Sequence, residues 1–333
     1  MKKILFIVKN RNEASSRFRV FSYFPYLEKD FILQTFYSEY NNKKIPKIFR
    51  SLIKRLRFIA LLFSVKKYNI IFMQRPMSSD KSISTNFEYL MSKLNPNIIF
   101  DFDDALFIQN SKKTQSLIKI ANQVICGNQF LADYTTIHNQ KTFIIPTTTN
   151  TDVFFPILNK QDTITIGWTG TSGNYANFTD ELINALTIIT SKYSHVNVLF
   201  ICDKKPPSHF NFKYTFLKWS DKTEVIDLQK IDIGIMPLID SEWTRGKCGF
   251  KLIQYGAIGI SSVGSNVGVN NQVILNNETG FLINDESEWY IYIEQLIQNK
   301  KLRDVLGENA RNHIVKTYST TIIYPKLYNI LNQ

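Results

Sequence analysis

The chain has 333 residues, 44% of them hydrophobic, and a formal net charge of +12. That length exceeds one hydrophobic core and predicts two domains, while the even composition excludes a low-complexity chain. The positive balance points to acidic partners such as nucleotides, anionic lipid or nucleic acid, although part of it follows from a chain rich in Lys, Asn and Ile.

The opening MKKILFIVKN reads as a buried first strand, because its apolar run ILFIV is too short for a signal peptide and no cleavage site follows. Arg17 and Arg19 come next, in a loop-to-helix context. Either is placed to meet an acceptor phosphate or carboxylate, or to form a surface ion pair. Over 43–67, Ile45, Ile48, Phe49, Leu52, Ile53, Leu56, Ile59 and Phe63 follow i, i+3, i+4 spacing. Lys47, Arg50, Lys54, Arg55 and Arg57 fall between them. This is a basic amphipathic helix that either lies on an anionic membrane surface or packs its apolar face on the first domain's sheet. Its longest apolar run, FIALLF at 58–63, is far below the roughly 18 residues of a membrane span. The expected place is therefore cytoplasmic, peripheral on the inner face of the plasma membrane.

Short β-branched runs then alternate with amphipathic segments, the pattern of a parallel α/β fold. The strand candidates in the first half are 3–8, 69–75, 97–103, 123–126 and 142–146. In DFDDALF (101–107), Asp101, Asp103 and Asp104 emerge from a strand end, where carboxylates suit acid–base work, metal binding or hydroxyl binding. Asp103 is the cleft-lining candidate, whereas Asp104 suits helix capping. The stretch PTTTNTDVFFPILNKQD (146–162) reads as an interdomain linker.

The second half repeats the alternation, with strands at 164–170, 196–202, 231–237 and 259–264 and helices at 180–193 and 250–257. The turn GWTGTSGNYANF follows a strand and precedes a helix. Gly170, Thr171 and Ser172 there suit a diphosphate at a helix N-terminus, or make a Gly-rich turn without a ligand. Arg245, Lys247 and Lys251 cluster downstream; Lys247 and Lys251 share a face if the helix starts early. Cations at a helix start oppose its dipole, which favours an anion between them over a solvated basic turn. The loop GSNVGVNNQV adds Ser265 and Asn266 for close ligand approach. The four histidines form no cluster, and the cysteines, Cys126, Cys202 and Cys248, lack metal-ligand spacing and suggest a reducing compartment.

Taken together, DFDDALF, ANQVICGNQFLADY with FIIPTTTNTDVFFP, IGWTGTSGNY and KCGFKLIQYGAIGISSVGSNVGVNNQVILNNETGFLI resemble GT-B fold glycosyltransferases, specifically glycosyltransferase family 4. The resemblance implies two doubly wound Rossmann-like domains facing a central cleft. These are an acceptor-binding domain at 1–155, a nucleotide-sugar-binding domain at 156–317, and a C-terminal helix at 318–333 packing back on the first. It implies retention of anomeric configuration and no metal. It assigns Gly170, Thr171 and Ser172 to the diphosphate, and Ser265 and Asn266 to the donor sugar and phosphates.

The family's E-x7-E acids are replaced by Gly246 and Gln254. Gln254 retains hydrogen bonding to ribose without charge assistance. Lys251, with Lys247 or Arg245, is the replacement for neutralising the leaving diphosphate. Asp103 would orient the acceptor hydroxyl or support the cationic sugar, and Arg17 and Arg19 would serve the acceptor. The expected partners are a nucleotide-sugar donor, a lipid-linked or glycan acceptor of bacterial surface polysaccharide and an anionic membrane, with no nucleic acid, for which no motif is present. A non-catalytic nucleotide-sugar-binding protein and a sugar-nucleotide epimerase are the alternatives.

Overall fold

The computed structural model describes residues 1–40, 45–77, 85–157 and 163–333. It divides into two compact units, Met1–Thr147 with Gly246–Cys248 and Ile323–Gln333, and Thr148–Arg245 with Gly249–Ile322. The division falls at 147/148 rather than 155, because 148–155 packs within the second unit. There the Arg311 guanidinium donates to the carbonyls of Thr151 and Phe154, at 2.8 and 2.7 Å, and Phe154 is buried. The end of the expected linker, 158–162, lies outside the described residues.

The first unit holds a six-stranded parallel sheet in the order β2-β1-β3-β4-β5-β6. Its strands are β1 (Lys2–Val8), β2 (Phe31–Tyr37), β3 (Ile70–Gln74), β4 (Ile98–Phe102), β5 (Gln123–Cys126) and β6 (Thr142–Ile144). Helices cover both faces, so the central strands are continuous apolar runs; Ile4 to Val8 are all buried. The C-terminal helix Thr320–Asn332 sends Ile323, Leu327, Ile330 and Leu331 into the core of Phe6, Phe31 and Phe72.

The second unit has six parallel strands in the order β12-β11-β10-β7-β8-β9. They are β7 (Ile164–Gly170), β8 (Val196–Cys202), β9 (Tyr214–Lys218), β10 (Ile233–Met236), β11 (Ser261–Ser265) and β12 (Gly280–Ile283). Trp168, Phe200 and Trp289 centre its core. In each sheet the chain order reverses once, between β1 and β3 and between β7 and β10. Open α/β sheets bind ligands beyond the carboxyl ends of the strands at such a point.

The Lys47–Ser64 helix does not pack its regular apolar stripe on the sheet, the second of the two readings open to it. Among the described side chains of this segment Phe58, Leu61 and Val65 are the buried ones, and Phe58 meets the rings of Phe36 and Phe87. Phe49, Leu52, Leu56, Ile59 and Phe63, from the stripe that periodicity marks for a membrane surface or for the sheet, are exposed, Phe63 by 83%. The cations are redistributed too. Arg57 donates to the Tyr37 carbonyl and lies over the rings of Phe36 and Tyr40, and Arg50 and Lys54 are half-buried. Arg55 is exposed, and the side chain of Lys47 lies outside the described residues.

Candidate functional site

In the first unit, the end of β4 carries a buried charge network. Asp101 accepts from Arg19 Nε at 2.8 Å, both groups being almost wholly buried. Arg19 Nη1 also donates to the Ile145 carbonyl at 2.9 Å. Burial opposes the Arg19 charge, but Asp101 more than offsets it and holds the guanidinium protonated. Of the two arginines expected at the acceptor, Arg19 is thus committed to the core. Arg17, in the same short helix, lies over the Phe18 ring.

Asp103 is fixed from two sides. Ser15 Oγ donates to Oδ2 at 2.7 Å, and Arg75 donates to Oδ1 through Nη2 at 2.8 Å. Arg75 also bonds Asp104. Burial raises the Asp103 pKa, but Arg75 and Arg19 with these hydrogen bonds outweigh it, leaving the carboxyl below its usual range. Asp104 is pushed the other way, by burial and by the Asp103 charge, against the pull of Arg75 and Lys247. Asp104 caps no helix: the turn Leu106–Gln109 has Ala105 at its N-cap and no side-chain cap. Arg75 holds φ at 65°, a conformation that costs a residue with a Cβ about 1–2 kcal/mol. Its ion pairs offset that.

Gly246–Cys248 belongs to this unit. Asn128 Nδ2 donates to the carbonyls of Gly246 and Lys247 at 3.1 and 3.0 Å, and Cys248 Sγ donates to Asp103 O at 3.2 Å. A Cβ on Gly246 would stand 2.6 Å from the Ala105 methyl. The family's first acid therefore has no room at this position, which explains the glycine. Lys247 does not share a helix face with Lys251. Gly249 turns the chain at φ +62°, and the helix starts only at Phe250.

In the second unit, candidate residues gather at the carboxyl ends of β7, β10 and β11. The Lys251 ammonium lies 5.6 Å from the Trp168 ring centroid. Its Cε approaches Gly170 so closely that a Cβ there would stand 3.0 Å away. Ser265 Oγ accepts from the Leu238 amide at 2.9 Å, tying the loop after β10 to the end of β11. Asn266 donates to Asn284 at 2.8 Å. Arg245, half-exposed, pairs with Asp240 through two bonds of 2.7 Å.

Two expectations for this half differ from the geometry. The Gly170–Ser172 turn leads into a 3-10 segment, Ser172–Asn177, and not into an α-helix; the helix begins at Asp180, capped by Thr179. Moreover, Asp203, at the end of β8, accepts from the Ser172 amide at 2.6 Å and from its hydroxyl at 3.0 Å. A carboxylate already uses the Ser172 donors, one part of the set assigned to a diphosphate.

One acid was invisible in the sequence. Gln254 is buried and donates to Glu224 Oε1 at 3.1 Å, and the same oxygen accepts from Trp219 Nε1 at 3.3 Å. A carboxylate thus stands beside the position where the family motif would carry one. Its separation of 30 residues left no spacing signal.

Comparison with known proteins agrees with this architecture. Residues 179–313 match the family described as glycosyl transferases group 1. A curated relative, the capsular polysaccharide biosynthesis glycosyltransferase CapM of Staphylococcus aureus, is 27% identical over 158 residues, 46% of this chain and 42% of its own length. The match thus spans less than half of that relative. Among solved structures, Anabaena HepE in complex with UDP and glucose aligns with a TM-score of 0.74 at 12% identity, covering 100% of both chains. Sucrose-phosphate synthase from Thermosynechococcus elongatus aligns at 0.73 and 13%, covering 100% of this chain and 99% of that one. The chain therefore has the fold of GT-B glycosyltransferases, and residues 179–313 are similar to the glycosyl transferases group 1 family.

Proposed function

We propose that this chain is a glycosyltransferase moving a sugar from a nucleotide-sugar donor to a lipid-linked or glycan acceptor in bacterial surface-polysaccharide synthesis. The observation that carries the reading is the family match at 179–313, which spans Lys251, Gln254, Ser265 and Asn266. The capsular relative supports the pathway. HepE, crystallised with UDP-glucose, supports a uridine nucleotide as the first donor to test. Retention and metal independence follow from the resemblance to family 4.

In this reading Lys251 neutralises charge on the departing diphosphate, and Gln254 with Glu224 meets the ribose. Asp103, held ionised, orients the acceptor hydroxyl, and Arg17 assists the acceptor. The test is a melting series with UDP, GDP, CDP and dTDP sugars without added metal, followed by transfer to lipid or glycan acceptors. A donor at 100 times its Kd stabilises the folded chain by about 2.7 kcal/mol. One nucleotide should raise the melting point, and its sugar should appear on an acceptor. No shift at millimolar donor would overturn the proposal.

The replacement of the family's acids by Gly246 and Gln254 favours, as a second reading, a protein that binds the donor without transfer. It predicts the melting shift alone. An epimerase would instead convert the donor sugar with no acceptor present.

The same proposal places the chain in the cytoplasm, on the inner face of the plasma membrane. Among the described residues no helix is long and apolar enough to cross a membrane. The support is the exposed stripe of Phe49, Leu52, Leu56, Ile59 and Phe63, with Arg55, Lys66 and Lys67 exposed on the same segment. Fully burying one such side chain yields about 1.5–3 kcal/mol, and each nearby cation adds about 1 kcal/mol at an anionic surface. The chain should sediment with vesicles containing phosphatidylglycerol and not with pure phosphatidylcholine. Leu56→Asp with Phe63→Asp should weaken that binding at least tenfold. Equal binding by the double variant would sink the membrane assignment, as would a variant that loses only self-association.

A further inference from the structure

The first unit contains a pocket of about 470 Å³ at the point where its strand order reverses, reached by Lys9 after β1 and Arg75 after β3. That volume is typical of small-molecule sites, roughly 300–1,000 Å³. Lys54 and Lys113 complete a set of cations on its wall, against one acid, Glu39. The counter-charges lie elsewhere: Glu13 pairs with Lys9, Asp103 and Asp104 with Arg75, and the Glu88 charge acts on Lys54 and Lys113. Glu88 is 2% exposed and does not line the pocket.

The wall also includes the start of the Ser111–Ile120 helix, whose N-cap Asn110 accepts from the Lys113 amide at 3.1 Å. Lys113 therefore sits in a helical first turn, where the helix dipole opposes a cation. An anion in the pocket reverses that penalty and gains from the same dipole. The lining presents cations from four separate segments and one carboxylate, Glu39, while the acids that pair with those cations lie outside the lining. These cations suit an oxyanion with more charge and more acceptor atoms than a carboxylate.

We infer that this pocket binds a phosphoryl group, a phosphate or diphosphate, carried by the acceptor. The inference rests on the reading that the first unit serves the acceptor and adds the acceptor's chemical class. Lys54 belongs to the helix bearing the exposed apolar stripe, so a lipid-linked diphosphate and a soluble sugar phosphate are the two sources of this chemistry.

The test is calorimetric titration of inorganic pyrophosphate into the full chain, Lys9→Gln/Lys54→Gln and Lys251→Ala. Both pocket lysines reach solvent, so the double variant should fold, and an unchanged urea transition by circular dichroism checks that. We expect pyrophosphate affinity to fall at least tenfold in the double variant and to persist in Lys251→Ala. The reverse pattern would place the anion in the second unit and overturn the inference, as would equal binding of glucose. Dodecyl phosphate against ethyl phosphate then separates the sources. Tighter binding of the long chain upholds the site as lipid-directed, and equal binding upholds it as serving a soluble phosphate. No melting shift with any of the four nucleotide sugars, with pyrophosphate binding intact, counts against the glycosyltransferase reading and leaves the pocket standing.

Discussion

Arg19→Met is expected to destabilise the first unit by about 3–5 kcal/mol, the usual cost of breaking a buried pair from one side. Arg19 and Asp101 are 3% and 1% exposed, and water cannot replace the lost partner. The substitution leaves a buried carboxylate without its hydrogen-bonded counter-ion and also orphans the Ile145 carbonyl that Arg19 Nη1 satisfies. Asp101 then takes up a proton or the strand end opens. Adding Asp101→Leu should recover a large part of the loss, because two apolar groups of similar volume carry no uncompensated charge. All four tryptophans, Trp168, Trp219, Trp243 and Trp289, lie in the second unit. Circular dichroism should therefore report unfolding of the first unit at lower urea than tryptophan fluorescence does. A loss below about 1 kcal/mol, the worth of an exposed pair, would show that the network is not as dry as its geometry implies.

Lys251→Ala should lower kcat by about 10²–10³, the range found when one preorganised group facing developing charge is removed. The ammonium is pre-positioned: its stem packs beside Gly170, and its charge lies over the Trp168 ring. Little reorganisation is then needed as the diphosphate departs. Arginine keeps the charge but is broader and planar, so Lys251→Arg should recover only part of the rate. Single-turnover kinetics with saturating donor, beside the donor Kd, separates the effects. If Lys251→Ala raises Kd and leaves the rate constant within about threefold, the residue holds the donor without serving the chemical step.

The strands show where local sequence speaks clearly. β1, β3, β4, β7 and β8 stand out as apolar runs because helices cover both faces of their sheets. The strands that periodicity missed are β2, β9 and β12, and each is an edge strand. β2 and β9 are largely half-buried or exposed, and β12 is four residues long. An edge strand needs no continuous apolar run, so it carries a weaker signal.

The sequence by itself determined the parallel α/β class, the two-part organisation, the aspartates at the end of β4 and the helical period of 47–64. Each is a local property, set by apolar spacing or by residue types within one turn. Only the tertiary structure decided which face of that helix packs, because Phe58 finds Phe36 and Phe87 across the fold and Leu61 is buried, while the described residues of the more regular stripe from Phe49 to Phe63 stay exposed. It also decided that Arg19 is a core residue, that Gly246 has no space for a side chain, and that Gln254 stands beside Glu224. These depend on residues far apart in the chain, whose proximity is fixed by strand order and sheet packing.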